Sequence, residues 1–495
     1  MTEQPSPQLG AAAATRRAAH NTIVRAAAEL IGKFASLALM AVLARTEGPV
    51  GLGIFVLALA WCELATTPID MGLDRYLLRR IAADRSTIEA LFGNVLVLKL
   101  ARAVPVIAAS WVLVWVTGQG DTTRDAIHLL TAGLLLESFR YTVFSVFNAF
   151  ERGDLVATSL LTHRLLAAGL GIGALALGYG VVAVAATYAL SAAAALAVAV
   201  WLLARRIRWP RIQLPSQERR QLRRQSLPFA TQDLFSVGIA RVDTVLLAAL
   251  ATKAVIGFYG AAYRLLEATL FISSALAGAF SAMFTYLDAD SDPPIRAVFE
   301  RALKVTLALL VPCAVVLVVT TEPLLRLFFG AGFEEAAGPL RVLAAVVVLL
   351  GVVRIASSLI VSRRDPRVLV RLFGIAMVVN VILNLLLIRP LEATGAAIAM
   401  LGTELLLLVG TMYVASGTVG RPRLATTLAA PAAGAAGMAG AMWPLRDGLL
   451  TALPAGTLAY VGVFLAVERW ISPDDLRFMV GLLRRRLPAG AAAQT

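Results

Sequence analysis

Charged residues are scarce in this chain, and so are cysteine and histidine. Only 15% of its 495 residues are charged and 59% are hydrophobic, whereas soluble domains carry about 25% charged residues. The mean hydropathy is +0.78, so the composition excludes an ordinary water-soluble enzyme and predicts a membrane protein. The 2 cysteines and 3 histidines have neither disulfide nor metal-ligand spacing, so we expect no disulfide framework and no metal site.

Two further absences argue against an enzyme. The chain contains no G-x-x-x-x-G-K-[ST] motif, so it is not expected to hydrolyse ATP. The largest segment predicted on the external side, 321–338, is mostly apolar or glycine-containing and is too short for a catalytic domain. We therefore expect a protein that is not an enzyme and that carries no cofactor.

Apolar runs of membrane-spanning length recur along the chain. Because one crossing needs about 20 apolar residues, these runs predict fourteen transmembrane helices between residues 22 and 468. The expected fold class is an all-α polytopic membrane protein. Arginine and lysine collect in every second loop, which predicts a plasma-membrane protein with both termini in the cytoplasm. The excess of 45 Lys and Arg over 31 Asp and Glu is thus assigned to cytoplasmic loops and not to nucleic-acid binding.

A basic polar segment divides the predicted helices into groups of six and eight. Its arginine-rich face is expected to lie near anionic lipid headgroups. After Ser472-Pro473, apolar residues recur at helical spacing beside arginines, which predicts an amphipathic helix on the membrane surface. The predicted organisation is a cytoplasmic tail at 1–20, an N-terminal lobe with helices 1–6 at 21–208, a basic cytoplasmic linker at 209–225, a C-terminal lobe with helices 7–12 at 226–417, helices 13–14 at 418–470, and a cytoplasmic amphipathic helix and tail at 471–495.

A weak internal repeat relates the two predicted lobes. A shift of 204 residues superposes Gly53 on Gly257 and Glu63 on Glu267. The interval from glycine to glutamate is ten residues in both copies, and both copies lie at the junction of the first two helices of their lobe. Since many transporters are built from repeated halves, the repeat favours a transporter.

Ionisable residues lie within several predicted membrane helices. At mid-membrane each disfavours insertion by about 2.5–3.5 kcal/mol, so each needs a partner, a wet cavity or a function. Some share a helical face, as Glu29 does with Lys33 and Arg264 with Glu267. They are either neutralised structural pairs or the lining of a polar pathway, and the set as a whole favours the pathway. Arginine chelates phosphate oxygens, which suits an anionic lipid headgroup.

Several short motifs resemble those of one transporter family. They are Leu43-Ala44-Arg45 with Gly48-Pro49, Asp70-Met71-Gly72-Leu73, Arg241-Val242-Asp243, and Gly257-Phe258-Tyr259-Gly260-Ala261-Ala262-Tyr263-Arg264. The chain is thereby similar to the polysaccharide exporters and Wzx-type lipid-linked oligosaccharide flippases of the MOP (MATE-like) superfamily. The resemblance implies two six-helix lobes, two additional C-terminal helices, a central cavity and alternating access. The Asp-Ala-Phe and Ile-Pro-Asn elements that are usual in the related lipid II flippases are absent.

Together these features predict a flippase for undecaprenyl-diphosphate-linked oligosaccharide with a cationic central cavity. The candidate substrate-binding residues are Arg25, Lys33, Arg140, Arg241 and Arg264. The candidate residues for balancing charge, or for carrying a coupling H⁺ or Na⁺, are Glu29, Glu63, Asp243 and Glu267. The implied partners are the lipid-linked sugar, membrane lipids, a polysaccharide polymerase and glycosyltransferases.

Two alternatives stay open. A cation-coupled multidrug exporter of the same superfamily would share the fold, but it predicts an acid-rich cavity for cationic drugs. A non-transporting membrane scaffold would use the same charges only to stabilise helix packing. Replacing Arg241 or Arg264 with alanine separates the three functions.

Overall fold

A computed structural model describes residues 7–207, 210, 215–286, 294–364, 367–473, 475 and 477. Throughout these ranges the regular structure is helical, without any strand. The α-helices are α1 (Pro7–Asp70), α2 (Leu73–Ala83), α3 (Ile88–Val116), α4 (Asp121–Ala149), α5 (Gly153–Ala176), α6 (Val181–Arg206), α7 (Ser216–Leu250), α8 (Lys253–Tyr286), α9 (Ile295–Val319), α10 (Thr321–Phe329), α11 (Ala337–Arg363), α12 (Arg367–Val419), α13 (Leu424–Met442) and α14 (Leu449–Ile471).

Two of these helices, α1 and α12, are long enough to cross a bilayer twice, and each is broken near its middle. In α1 the break is at Gly48, whose φ of 67° is left-handed and costs glycine no Cβ clash. Pro49 then begins the second half, where its missing N–H leaves no hydrogen bond unmade. In α12 the break is at Glu392, with φ 48°, two residues after Pro390. The breaks fall where the sequence predicts a boundary between two membrane helices.

The predicted membrane helices are all present as helical segments. In the described part of the chain, ten helices are long and apolar enough to cross a membrane, and the broken α1 and α12 are among them. Helices α7 and α13 lie outside that set but occupy the predicted seventh and thirteenth positions. The all-α polytopic fold is therefore confirmed, and the chain is a multi-pass membrane protein. The short helices α2 and α10 were not predicted.

The chain packs as two compact units. Unit 1 is Met1–Gly260 with Phe328–Gly332, and unit 2 is Ala261–Leu327 with Phe333–Thr495. The division falls within α8, after the predicted linker, because α7 packs against α1, α2 and α3. The predicted lobe boundaries stay a prediction.

The ends of the predicted segments differ from the helix bounds. Helix α1 already begins at Pro7, within the predicted N-terminal tail, and α7 begins at Ser216, within the predicted linker. Most of the amphipathic helix and tail predicted for 471–495 lies outside the described residues. The first turns of α1 and α7 lie in segments that are too polar to cross a membrane, so hydropathy could not locate where these two helices begin.

Each unit buries its own aromatic core and exposes apolar side chains on its surface. Phe92 and Phe147 lie in the core of unit 1, and Phe299 lies in that of unit 2. On the surface, Leu450 is 92% exposed and Trp470 is 86% exposed. Large exposed apolar side chains suit contact with lipid hydrocarbon.

Candidate functional site

A close backbone approach in unit 1 joins the second half of α1 to the first turns of α8. A Cβ atom at Gly53 would lie 1.9 Å from the Lys253 carbonyl oxygen, and one at Gly257 would lie 2.0 Å from the Pro49 carbonyl oxygen. Both positions therefore require glycine. Pro49 and Lys253 are 204 residues apart, as Gly53 and Gly257 are. Each copy of the repeat thus presents the same two positions to the other, which is the pattern of a self-complementary twofold contact.

The next equivalent pair along these helices continues the same contact. A Cβ atom at Gly260 would lie 2.7 Å from Cγ2 of Val56, and these two residues are also 204 positions apart. Val56 and Gly260 are the same position in the two copies of the repeat. Because a position contacts its own equivalent only near the twofold axis, the local axis passes close to this pair. The predicted internal repeat therefore has a physical counterpart in the packing of α1 on α8.

An ion pair joins α1 to α7 further along the same unit. Arg241 Nε donates to Glu63 Oε2 at 2.5 Å, and Nη2 donates to Oε1 at 3.4 Å. The two side chains are 17% and 33% exposed, so neither is enclosed. Glu63 lies ten residues beyond Gly53, which is about 15 Å along a helix. A guanidinium that holds a carboxylate by two nitrogens has the geometry that also chelates phosphate.

Asp243 lies near this pair in sequence but faces a different environment. It is fully buried. The Tyr259 hydroxyl donates to one carboxylate oxygen, while the Thr244 N–H donates to the other at 2.6 Å and the Thr244 hydroxyl at 3.2 Å. Because three donors satisfy this carboxylate, it ties α7 to α8 in the present conformation. The sequence did not predict Tyr259 as its partner.

Arg140 is fully buried within unit 1. It donates to Glu137 Oε1 at 2.5 Å, and its guanidinium carbon lies 4.8 Å from the centre of the Phe144 ring. Glu137 also accepts a 3.0 Å hydrogen bond from the Tyr188 hydroxyl and lies 3.3 Å from His163 Nε2. This enclosure favours the structural-pair interpretation of Arg140, since no face of its guanidinium is open to a substrate.

The other predicted cations lie closer to the surface. Arg25 Nε lies 3.2 Å from Glu29 Oε1, and these side chains are 48% and 39% exposed. Arg264 Nη1 lies 2.7 Å from Glu267 Oε2 in unit 2, with exposures of 19% and 22%. Lys33 is half-buried on α1. The structure thus pairs each of the four predicted arginines with a carboxylate, and the pairs differ mainly in how open they are.

A buried lysine cluster that the sequence did not predict lies on α3 in unit 1. Lys99 Nζ donates to Asp74 Oδ2 at 2.7 Å and to the Ser138 carbonyl oxygen at 2.8 Å, and lies 2.9 Å from Asp70 Oδ1. Arg102 adds a 3.1 Å hydrogen bond to the Asp70 carbonyl oxygen. This Lys99 cluster fastens α2 and the end of α1 to α3. Lys99 and Arg102 are ionisable residues within the third predicted membrane helix, but the sequence did not indicate their partners.

A second lysine cluster lies on α9 in unit 2. Lys304 Nζ donates to Glu468 Oε1 at 2.8 Å and to Asp475 Oδ2 at 2.6 Å, and Arg301 Nε donates to Asp475 Oδ1 at 3.0 Å. Partial burial opposes ionisation of Asp475, but the hydrogen bonds from Lys304 and Arg301 outweigh it and hold its pKa below the ordinary value. This Lys304 cluster fastens the end of α14 to α9. No spacing signal links residues so far apart.

Comparison with known proteins identifies the family. The family model described as "Polysaccharide biosynthesis protein" matches residues 18–286, more than half of the chain. The chain belongs to this family. The resemblance inferred from the motifs is thereby confirmed, and the match includes the glycine contact and the Arg241–Glu63 pair.

Individual relatives of this polysaccharide biosynthesis protein include a flippase. The probable low-salt glycan biosynthesis flippase Agl15 of Haloferax volcanii is 25% identical over 159 residues, which cover 32% of this chain and 34% of that protein. The chain thus spans about a third of the length of the curated relative that it matches.

Solved structures show that the fold extends over nearly the whole chain. The lipid II flippase MurJ, in an inward closed conformation, matches with a TM-score of 0.75 and 12% identity over 93% of this chain and 100% of that one. An inward-facing multidrug resistance MATE family transporter of the MOP superfamily matches with a TM-score of 0.60 and 17% identity over 80% and 98%. At these identities the likeness shows a shared fold alone.

Proposed function

We propose that this protein is a flippase that moves a polyprenyl-diphosphate-linked oligosaccharide from the cytoplasmic to the outer leaflet of the plasma membrane. Its family, the function named for the Agl15 relative and the likeness to the MurJ fold support this function. The undecaprenyl carrier is the form of the substrate that the sequence resemblance implies. Glycosyltransferases would supply the lipid-linked sugar, and a polysaccharide polymerase would consume it.

The Arg241–Glu63 pair is the observation that carries the proposal. It joins the membrane-spanning α1 to α7, the predicted seventh membrane helix. The guanidinium donates through two nitrogens, and both partners are partly exposed. A diphosphate presents oxygens at the spacing of a carboxylate, so it can replace Glu63 on the guanidinium without leaving the cation unpaired. The exchange limits the desolvation cost of binding, because Arg241 is paired in both states.

Exchange at Arg241 also suggests where a coupling ion would act. Once the diphosphate holds the guanidinium, the Glu63 carboxylate loses its partner and would take up H⁺ or Na⁺. Glu29 and Glu267, which form partly exposed pairs of their own, would balance charge along the path. Release of the lipid on the outer side would let Glu63 return to Arg241 and discharge the ion.

The glycine contact supplies the moving element of the proposed alternating access. Gly53 and Gly257 pack against backbone carbonyls and offer no interlocking side chains. Such a contact can separate and re-form without rearranging rotamers, which suits a surface that closes one side of a transport path. We propose that α1 and α8 part here when the path opens on that side.

Flipping in reconstituted vesicles tests the function. The full-length protein is placed in liposomes that contain a fluorescent polyprenyl-diphosphate-linked disaccharide, and the fraction accessible to a membrane-impermeant quencher is followed. Arg241→Ala should slow flipping by about 100-fold, because a desolvated arginine–phosphate contact is worth about 3 kcal/mol. Arg241→Lys should retain part of the rate, since it keeps the charge but loses the second prong.

Arg389→Gln is the matched control, because it removes one exposed arginine from a membrane helix without touching the pair. It should flip at the wild-type rate. A wild-type protein that leaves the lipid-linked sugar in place but expels a cationic dye would contradict the flippase and support the multidrug exporter. Failure to move either compound would support the scaffold.

A further inference from the structure

Two helices of unit 1 together present an exposed basic surface that the proposed transport path does not use. On α2, Leu77 and Ile81 are buried, while Arg79 and Arg80 are exposed. Near the start of α7, Leu222 is buried in the same apolar cluster as Leu77 and Ile81. The apolar face of each helix therefore packs inward, and the arginines are left on the outside.

The first turns of α7 carry most of the charge of this surface. Arg220, Arg223 and Arg224 are exposed, and Arg219 is half-buried. Among the described side chains of α2 and of residues 216–227, Asp74 is the single acid, and it is occupied by Lys99 at 2.7 Å. In the sequence of α2 and residues 216–227, seven arginines are accompanied by two acids, Asp74 and Glu218, so the surface has a net positive charge.

The same apolar cluster places this surface at the boundary between membrane and water. It includes Leu202 and Leu203 at the end of α6, a membrane-spanning helix. Beside them, Trp201 is 51% exposed and lies 5.5 Å from the Arg205 guanidinium. Tryptophan and arginine at a helix end are typical of the headgroup layer. Helix α7 has 35 residues, about 52 Å, and so extends beyond a hydrocarbon core of about 30 Å.

We propose that the exposed arginines of α2 and of the first turns of α7 form a binding surface for anionic phospholipid headgroups of the adjoining leaflet. The arginines are exposed and distributed along two helices, which suits the diffuse negative potential of a lipid surface. A site for the substrate diphosphate would instead need donors that converge on one point, as Nε and Nη2 of Arg241 converge on the Glu63 carboxylate. The surface holds this end of unit 1 against that leaflet.

Native mass spectrometry of the full-length protein tests this surface. The protein is released from nanodiscs that contain equal amounts of phosphatidylcholine and phosphatidylglycerol, and the ratio of the two retained lipids is measured. The triple variant Arg80→Gln/Arg220→Gln/Arg224→Gln should lower the retained preference for phosphatidylglycerol by about tenfold, because each arginine near a lipid surface contributes to attraction of anionic headgroups. The Lys-substituted triple should keep most of the preference, since diffuse charge is sufficient.

The control Arg389→Gln/Arg421→Gln/Arg446→Gln removes the same charge from exposed arginines of unit 2. It should retain the wild-type lipid ratio. An unchanged ratio in the first triple, or an equal loss in the control, would overturn the proposal. Displacement of phosphatidylglycerol by submillimolar inorganic pyrophosphate would also overturn it, because that result identifies a convergent diphosphate site. Circular dichroism of each variant confirms that the fold is intact, and none of these readouts depends on flipping.

Discussion

Lys99 on α3 and Lys304 on α9 are buried lysines 205 residues apart, close to the shift of the internal repeat. Each ammonium is held by two carboxylates, but the carboxylates come from different parts of the chain. Asp70 and Asp74 precede Lys99 by fewer than thirty residues, whereas Glu468 follows Lys304 by 164. The two copies of the repeat thus each place a buried lysine on the equivalent helix, α3 or α9, but the carboxylates that neutralise it come from different parts of the chain.

The difference shows what the additional C-terminal helices contribute. A shift of 204 residues places Ser274 and Gly278 where the first copy has Asp70 and Asp74, so the second copy lacks acids at the two equivalent positions. Helix α14 provides Glu468 instead, and Asp475 follows it. A buried ammonium without a partner would be very costly. We infer that α14 is required for the stability of unit 2.

Among the substitutions that test this comparison, loss of Glu468 should lower the free energy of unfolding most. Its side chain is fully buried, and Glu468→Ala leaves Lys304 in the core with Asp475 as its only described carboxylate partner. Removing one member of a buried pair costs about 3 kcal/mol or more. The free energy of unfolding in micelles, followed by tryptophan fluorescence in denaturant, measures the loss. Glu335→Ala, which removes an exposed acid, is the control and should change it by less than about 0.5 kcal/mol.

The result has a clear counter-outcome and a rescue. Lys304→Met combined with Glu468→Leu should recover most of the lost stability, because a well-packed apolar pair often replaces a buried ion pair at little cost. A Glu468→Ala protein as stable as the wild type would show that α14 does not hold α9 through this pair.

Alanine substitutions in the glycine contact should cause stability losses of intermediate size, and the losses should be equal in the two copies of the repeat. A methyl group at Gly53 meets the Lys253 carbonyl, and one at Gly257 meets the Pro49 carbonyl, at nearly the same distance. Backbone cannot move aside as a side chain can, so each alanine variant should lose about 1–3 kcal/mol. Gly173→Ala, which has open space around it, is the control. The two variants should lose similar amounts of unfolding free energy. A difference between Gly53→Ala and Gly257→Ala as large as either loss would contradict the twofold contact.

Loss of Asp70 should cost less than loss of Glu468. The Asp70 side chain is 28% exposed, and Asp70→Ala leaves Lys99 bonded to Asp74 and to the Ser138 carbonyl. We expect a loss of about 1–2 kcal/mol, in the range of a hydrogen bond to a charged group. Denaturant unfolding of the two variants side by side makes the comparison. A larger loss for Asp70→Ala would mean that the Lys99 cluster depends on its local carboxylates more than its geometry indicates.

The sequence predicted the helices well because hydropathy and helix breakers act locally. The Gly48-Pro49 break and the i,i+3 pair of Arg264 with Glu267 follow from spacing along one helix. The Arg241–Glu63 and Lys304–Glu468 pairs do not, because spacing along the chain does not determine which helix faces which. The ten-residue interval from Gly53 to Glu63, repeated from Gly257 to Glu267, predicted an internal repeat but not the contact between its two copies.

Asp475 should make the Lys304 cluster sensitive to acid, and this is the smallest of the expected effects. Its pKa lies below the ordinary value of 3.8 because hydrogen bonds from Lys304 and Arg301 outweigh the effect of burial. A lowered pKa in the folded state stabilises the protein above pH 3.8, and this contribution is lost as the pH falls through the folded-state pKa. Asp475→Asn should therefore be less stable than the wild type at pH 7, by less than Asp70→Ala is, and the gap should close below pH 4. Thermal unfolding in micelles from pH 7 to pH 3 measures the gap, and subtracting the two proteins cancels the titration of all other acids. A gap that stays constant or widens towards acid pH would show that Asp475 is not held ionised by these two cations.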